Sequence, residues 1–166
     1  MRIYEGAPRQ NYEEVFRSVG AMLDQRGMRE ITLNETNDGF IIQGLALVQG
    51  EERPWNDPSA LLQKETVVLR EDDLGRFIEE GVARRHKRGE APSPVQRPGF
   101  YEPALRALGA YLDQQQPRDV FFFEQDQQFV VRLLMQTRTG LRHILVEFTR
   151  EEIGAMIAAG QHQRGR

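Results

Sequence analysis

The sequence contains an internal repeat, and this feature limits the possible folds more than any other. The stretch SVGAMLDQRG at 18–27 recurs with changes as ALGAYLDQQQ at 107–116. The similarity extends without a gap over 12–46 and 101–135. Two copies are too few for a solenoid, which needs at least three repeats to bury a continuous core. We therefore predict two equivalent units that assemble as a pseudo-twofold pair.

The predicted units differ in length because the first contains an insertion. A second similar block occurs at 69–81 and again at 148–160. Its two copies lie closer together in the sequence than the two copies of the first block, so the first unit contains extra residues between the blocks. A Pro-rich stretch, GEAPSPVQRPG, separates the two copies and is typical of a linker. The predicted organisation, with both units packed as one globule, is a first unit at 1–88 with an insertion loop at 48–63, a linker at 89–99 and a second unit at 100–166.

Each unit has the hydrophobic pattern of a helix, three strands and a closing helix. The apolar stripes of the two first helices are Tyr12, Val15, Phe16, Val19 and Leu23, and Tyr101, Ala104, Leu105, Leu108 and Leu112. The predicted strands are 29–35, 39–48 and 64–70, then 118–124, 128–137 and 142–148. The closing helices are predicted to begin near Asp72 and Arg150. The predicted fold class is therefore α+β, a tandem repeat of two αβββα units with antiparallel three-stranded sheets and helices on one face.

Gly20 and Gly109 occupy equivalent places at the edge of the two helical stripes. A glycine inside a helix costs up to about 1 kcal/mol relative to alanine. Its presence in both copies predicts a close backbone approach, such as that of one first helix to the other.

The strands of the second unit are apolar on both faces. A sheet covered by helices on one side needs only alternate apolar residues, yet DVFFFE and FVVRLLM are almost continuously apolar. The first unit has Thr32 and Asn34 where the second has Phe121 and Phe123. We expect the second face to meet the other unit's sheet, another chain or a ligand. Burial within the pseudo-dimer or in a homodimer is the preferred interpretation, since exposed Phe side chains forfeit about 25 cal/mol per Å².

The insertion loop contains the single tryptophan, Trp55, between two prolines. A long loop in a compact domain is often functional, and tryptophan is enriched at interaction hot spots. The alternative is that Trp55, Leu61 and Leu62 fold back over the sheet of their own unit.

A polar group recurs where each first helix meets its first strand. Asp24, Arg29 and Glu35 flank this corner in the first unit, and Asp113, Arg118 and Glu124 are their counterparts. A carboxylate oriented by an arginine could act as a general base in an enzyme. The favoured alternative is a structural cluster of ion pairs and caps.

The composition predicts neither a metal site nor a cofactor. The chain has no cysteine, so disulfides, thiolate ligands and cysteine nucleophiles are excluded. His86, His143 and His162 have no metal-binding spacing, and no Gly-rich phosphate loop is found. No stretch approaches a membrane helix, and we expect a cytoplasmic protein.

Basic residues follow each closing helix. They are Arg84, Arg85, Lys87 and Arg88 in the first unit and Arg164 and Arg166 in the second. Cations at helix C-termini complement the helix dipole, which explains both groups without a partner. A nucleic-acid surface is the alternative, because the order of elements is similar to that of double-stranded-RNA-binding domains. The closing helices begin with the acidic stretches REDDLG and TREEIG, however, which would repel phosphate.

The function predicted first is therefore a protein–protein interaction or scaffold module without catalysis. Its partner is an unknown protein or a second copy of the chain, contacted through Trp55, Leu61 and Leu62 or through Phe121 and Phe123. A nucleic-acid-binding protein that uses the basic segments is the alternative. An enzyme with the Asp24, Arg29 and Glu35 corner is third.

Overall fold

The computed structural model describes residues 12–54, 56–86 and 100–164. Over these residues the protein is α+β, with four helices and six strands. The elements in chain order are α1 (Tyr12–Arg26), β1 (Arg29–Thr36), β2 (Gly39–Leu47), β3 (Leu62–Arg70), α2 (Glu71–His86), α3 (Tyr101–Gln115), β4 (Asp119–Gln125), β5 (Gln128–Thr137), β6 (Gly140–Phe148) and α4 (Arg150–Arg164). The predicted linker at 89–99 and Trp55 lie outside the described residues.

The six strands form one antiparallel sheet in the order β3-β2-β1-β4-β5-β6. The prediction of two three-stranded sheets was wrong, because β1 and β4 pair and join both halves edge to edge. Their register places Leu33 opposite Phe122, with one further pair on each side. The physical reason is that an edge strand exposes unpaired backbone N–H and C=O groups, which this pairing satisfies for both strands.

One face of the sheet is buried under the helices. Alternate strand residues and the apolar stripes of the helices form a single core cluster. Its fully buried large side chains include Tyr12, Phe16, Leu33, Phe40, Ile42, Tyr101, Leu105, Phe122 and Phe129. Helices α1 and α3 pack against each other in the middle, with α2 beside α1 and α4 beside α3.

The close helix approach predicted from Gly20 and Gly109 is confirmed. A Cβ atom added to Gly20 would lie closer than 3.0 Å to the Tyr101 backbone, and one added to Gly109 would be equally close to the Tyr12 backbone. Real Cβ atoms essentially never come that close to a backbone atom. Glycine is therefore required at both places so that α1 and α3 can touch backbone to backbone.

Helix α4 begins with a capping box. The Glu152 backbone N–H donates to Thr149 Oγ1 at 3.1 Å, and the Thr149 N–H donates to Glu152 Oε1 at 3.4 Å. These reciprocal bonds satisfy two backbone donors at the helix start, as the sequence spacing predicts.

Candidate functional site: the open sheet face

The open face is the surface of the sheet opposite the four helices. The strand register arranges its central residues in two neighbouring rows that cross all six strands. The first row is Val68, Ile41, Asn34, Phe121, Arg132 and Leu145, and the second row is Thr66, Gln43, Thr32, Phe123, Val130 and Glu147. Side chains on one face alternate with those on the other along each strand, so these rows face away from the core.

The two halves of the open face differ in chemistry. In the second half, Phe123 is 42% exposed and Leu145 is 69% exposed, while Phe121 and Val130 are partly buried. In the first half the residues beside the central seam are polar, although Val68 remains 57% exposed at the edge strand. An apolar patch therefore begins at β4 and continues to β6.

A charged pair lies within this apolar patch. The Arg132 guanidinium carbon lies 5.1 Å from the centre of the Phe121 ring, a cation–π contact that holds the arginine against the sheet. Glu147 lies on the neighbouring strand β6 and in the other row, because it pairs with Val130 whereas Arg132 pairs with Leu145. The patch thus contains one cation and one anion in defined positions.

The described residues of the other half do not cover this patch. The predicted burial of Phe121 and Phe123 within the pseudo-dimer was wrong for that part of the chain, because Phe123 is 42% exposed and Phe121 is only partly buried. The halves extend one sheet sideways instead of stacking two sheets, so both open faces point the same way. The continuous apolar strands predicted a second contact face. Part of that face is exposed, and what contacts it stays a prediction.

The insertion loop is organised by Glu51. Its carboxylate accepts hydrogen bonds from the Arg53 side chain at 2.7 Å and from the Arg53 and Leu61 backbone N–H groups. The Arg53 guanidinium is the largest of the causes that lower the pKa of Glu51 to about 2. Leu61 is 58% exposed, and Leu62 is partly buried at the start of β3. The Leu61 side chain is therefore not folded under its own sheet.

The predicted corner group separates into two structural clusters. The Asp24 carboxylate accepts backbone N–H bonds from Phe100, Tyr101 and Glu102 at 2.9–3.0 Å, at the start of α3. Glu35 is buried and accepts a 2.6 Å hydrogen bond from the Tyr12 hydroxyl. Tyr12 and Asp24 are at opposite ends of α1, about 18 Å apart along its axis. Asp24 and Glu35 therefore do not come together in one catalytic corner.

The second half repeats both clusters. Asp113 accepts backbone N–H bonds from Tyr12 at 2.9 Å and from Glu13 at 3.1 Å. The Tyr101 hydroxyl donates to the buried carboxylate of Glu124. Each aspartate thus caps the helix of the other half, and α1 and α3 run antiparallel.

These cross-caps place carboxylates in partly buried positions. Burial is the largest effect on the pKa of Asp24 and of Asp113, and it raises both above the ordinary value although the backbone donors oppose the rise. Sequence analysis missed this role. The available signal was an aspartate near the C-terminal end of a helix, where the dipole of that helix is unfavourable to a negative charge.

Two equivalent grooves flank the central helices. One, of about 560 Å³, lies between α3 and α4 and is lined by Tyr111, Phe148 and Met156 among others. The other, of about 550 Å³, lies between α1 and α2 and includes Leu69 and Phe77. Neither brings together the paired nucleophile and base that a hydrolytic site requires.

The basic residues proposed for nucleic-acid binding are placed only in part. Arg84 and Arg85 belong to α2 and Arg164 ends α4, but their side chains are not described. Lys87, Arg88 and Arg166 lie outside the described residues. The nucleic-acid surface therefore stays a prediction.

Over 12–54, 56–86 and 100–164, histidine and carboxylate side chains form no group that could hold a metal ion. Within the same part of the chain, no helix combines the length and apolar character needed to cross a membrane. Comparison with models of protein families, with curated proteins and with solved structures finds no match to this chain.

Proposed function

We propose that the chain is a tandem duplication of one αβββα unit and that it works as a protein–protein interaction module without catalysis. The duplication is supported by the same succession of elements in both halves. It is also supported by reciprocal contacts across the α1–α3 interface, where Gly20 and Asp24 contact the start of α3 and their counterparts Gly109 and Asp113 contact the start of α1. In this proposal a pseudo-twofold axis passes between β1 and β4. The contact surface for the partner is the open face of the second half.

The observation that carries this function is the exposed apolar patch on a sheet face opposite the helices. Phe123 and Leu145 are large apolar side chains that are exposed to solvent. Burying them in an interface contributes about 25 cal/mol per Å² to the free energy of association. Contiguous apolar patches of this kind mark interaction sites more often than they mark ordinary surface. A protein surface with apolar side chains is the partner that this chemistry fits.

A nucleic-acid partner fits the open face less well. Exposed aromatic residues beside an arginine can stack on single-stranded bases. Anions lie among the cations on this face, however, since the strand register places Asp119 and Glu147 on it together with Lys64, Arg70 and Arg132. The whole chain has a formal net charge of −3. Phosphate binding depends on a surplus of cations, which the chain as a whole does not provide.

The enzyme hypothesis has lost the residue grouping that motivated it. Asp24 is engaged with the start of α3, and Glu35 is engaged with Tyr12. Glu35 and Tyr12 are buried, and the bonds of Asp24 to the start of α3 are partly buried.

A photo-crosslinking experiment tests the interaction proposal. A photoreactive phenylalanine analogue is placed at position 123, and in a matched control at position 34, its counterpart on the same face. We expect efficient crosslinking to protein in a lysate of the native source from position 123 and little from position 34. Equal or absent crosslinking from both positions would contradict the proposal.

A further inference from the structure

We infer that the occupant of the open face is a second copy of this chain, stacked face to face about a twofold axis. This inference rests on the proposed function and names the partner for it. The axis lies parallel to the sheet and perpendicular to its strands, midway between the two rows. Each strand then lies over the same strand of the second copy, and the two rows exchange places. Sheets that pack in this aligned way cross at about 30°.

This arrangement pairs the two Phe side chains beside the central seam, while Leu145 lies over Glu147 of the second copy. The first row of one copy meets the second row of the other, so Phe121 lies over Phe123 of the second copy, and the same contact occurs twice. Aromatic pairs in such contacts contribute about 0.5–1.5 kcal/mol beyond the area they bury. An isologous interface requires this self-complementarity, because the same patch must fit itself.

The same axis also matches opposite charges. Arg132 comes to lie over Val130 of the second copy, and the strand beside Val130 carries Glu147. Neighbouring strands are about 4.8 Å apart, so the Arg132 guanidinium can reach Glu147 of the second copy. In the single chain the Arg132 guanidinium lies beside Phe121 on β4, so the ion pair requires its side chain to turn toward β6 on association. A planar, weakly hydrated guanidinium is well suited to such an interface.

The polar half of the face is compatible with the same stacking. Thr32 would meet Asn34 of the second copy, which places a hydroxyl beside an amide. The polar residues beside the seam in the first half therefore meet groups that can donate and accept hydrogen bonds.

The size of the face agrees with a dimer. Six strands about 4.8 Å apart and roughly 25 Å long make a surface of about 700 Å². A standard stable interface buries about 800 Å² on each partner. A surface of this order, which carries charges of both signs, favours a second copy over a foreign partner with a strong charge of one sign.

A charge-swap experiment tests the arrangement. The variants are Arg132→Glu, Glu147→Arg and the double variant, and their masses are measured by sedimentation equilibrium. We expect a dimer for the wild type, a dissociation constant at least about tenfold higher for each single variant, and recovery in the double variant. Arg142→Glu is the matched control, because Arg142 is exposed on β6 but belongs to the opposite face. It is expected to leave the dimer unchanged.

The possible outcomes separate the two proposals. A dimer that the single variants weaken and the double variant restores supports the second copy. A dimer that ignores these charges overturns the inferred stacking. A monomeric wild type overturns the inference as well, and crosslinking from position 123 to a different protein would then leave the proposed function intact. A monomeric wild type without crosslinking from position 123 overturns both. Circular dichroism of each variant excludes unfolding as the cause of dissociation.

Discussion

The two halves of the chain are alike on the helix side of the sheet and different on the open face. At the α1–α3 interface, glycine packs against backbone in both directions and an aspartate of each half caps the other. The ion pairs are reciprocal too, with Arg17–Glu102 and Arg106–Glu13 both at 3.4 Å. On the open face, Thr32 and Asn34 face Phe123 and Phe121 across the seam between β1 and β4.

This difference shows where the two halves constrain each other. A residue at the α1–α3 contact must fit its counterpart as well as its own half, so a change in one copy requires a change in the other. On the open face only the residues at the β1–β4 seam, such as Asn34 and Phe121, neighbour the other half among the described residues, and those two differ in chemistry. The difference between the two halves on the open face is therefore informative about what the protein contacts. Their similarity on the helix side is informative about folding.

The largest expected effect on stability tests whether Gly20 and Gly109 are both required at the α1–α3 contact. Gly20→Ala and Gly109→Ala each force a Cβ into the backbone of the opposing helix, and we expect each to lower the free energy of unfolding by about 3 kcal/mol. Urea denaturation followed by circular dichroism measures the loss.

The matched controls are Gly75→Ala and Gly154→Ala. These glycines are in α2 and α4 with nothing within 4 Å of an added Cβ. Alanine should raise stability there by about 0.5–1 kcal/mol. If alanine at Gly20 or Gly109 behaves like these controls, the helices do not approach as described.

The next effect comes from the two caps. Asp24→Ala removes an acceptor for backbone donors at the start of α3, and Asp113→Ala removes one for backbone donors at the start of α1. We expect losses of about 1–2 kcal/mol for each variant. Asparagine keeps a side-chain acceptor, so Asp24→Asn should cost less than Asp24→Ala. Thermal and urea unfolding give the comparison, and equal losses for alanine and asparagine would argue against a capping role.

A pH series tests the burial of the same carboxyl groups. Because burial raises the pKa of Asp24 and of Asp113 above 3.8, the folded protein binds these protons more tightly than the unfolded chain does. Their contribution to stability is then greatest at low pH and declines as the pH rises above 3.8. We expect the Asp24→Asn/Asp113→Asn variant to gain stability relative to the wild type from pH 3.8 toward neutrality. An opposite trend would mean that the backbone donors outweigh burial.

A smaller effect on stability is expected from a polar–apolar mismatch between α1 and α3. Ser18 is fully buried, and its hydroxyl has no hydrogen-bond partner among the described residues, whereas its counterpart is Ala107. Ser18→Ala removes an unsatisfied polar group and should raise the free energy of unfolding by about 1 kcal/mol. Ala107→Ser is the reciprocal variant and should lower it. A loss of stability in Ser18→Ala would show that the hydroxyl does have a partner.

The sequence was sufficient to predict the elements but not their assembly. Alternation and helical spacing placed β5 at 128–137 and the start of α4 at Arg150, as observed. The pairing of β1 with β4 was not predictable from these patterns. Periodicity specifies which face of a strand is buried but not which backbone edge lies beside it.

The sequence predicted the apolar character of the candidate site but not the contacts between the two halves. The apolar surplus around Phe121 and Phe123 indicated a second contact face, and that face is partly exposed. The cross-caps were missed because Asp24 and Tyr101 are far apart in sequence, and no local pattern links a carboxylate to a helix start in the other half.

The central claim is that the second half of the open face drives association while the first half does not. Sedimentation equilibrium of the wild type and of a Phe121→Thr/Phe123→Asn variant, which gives the second half the side chains of the first, tests it most directly. The account predicts a dimeric wild type and a folded, monomeric variant. The same mass for both proteins at every concentration would contradict it.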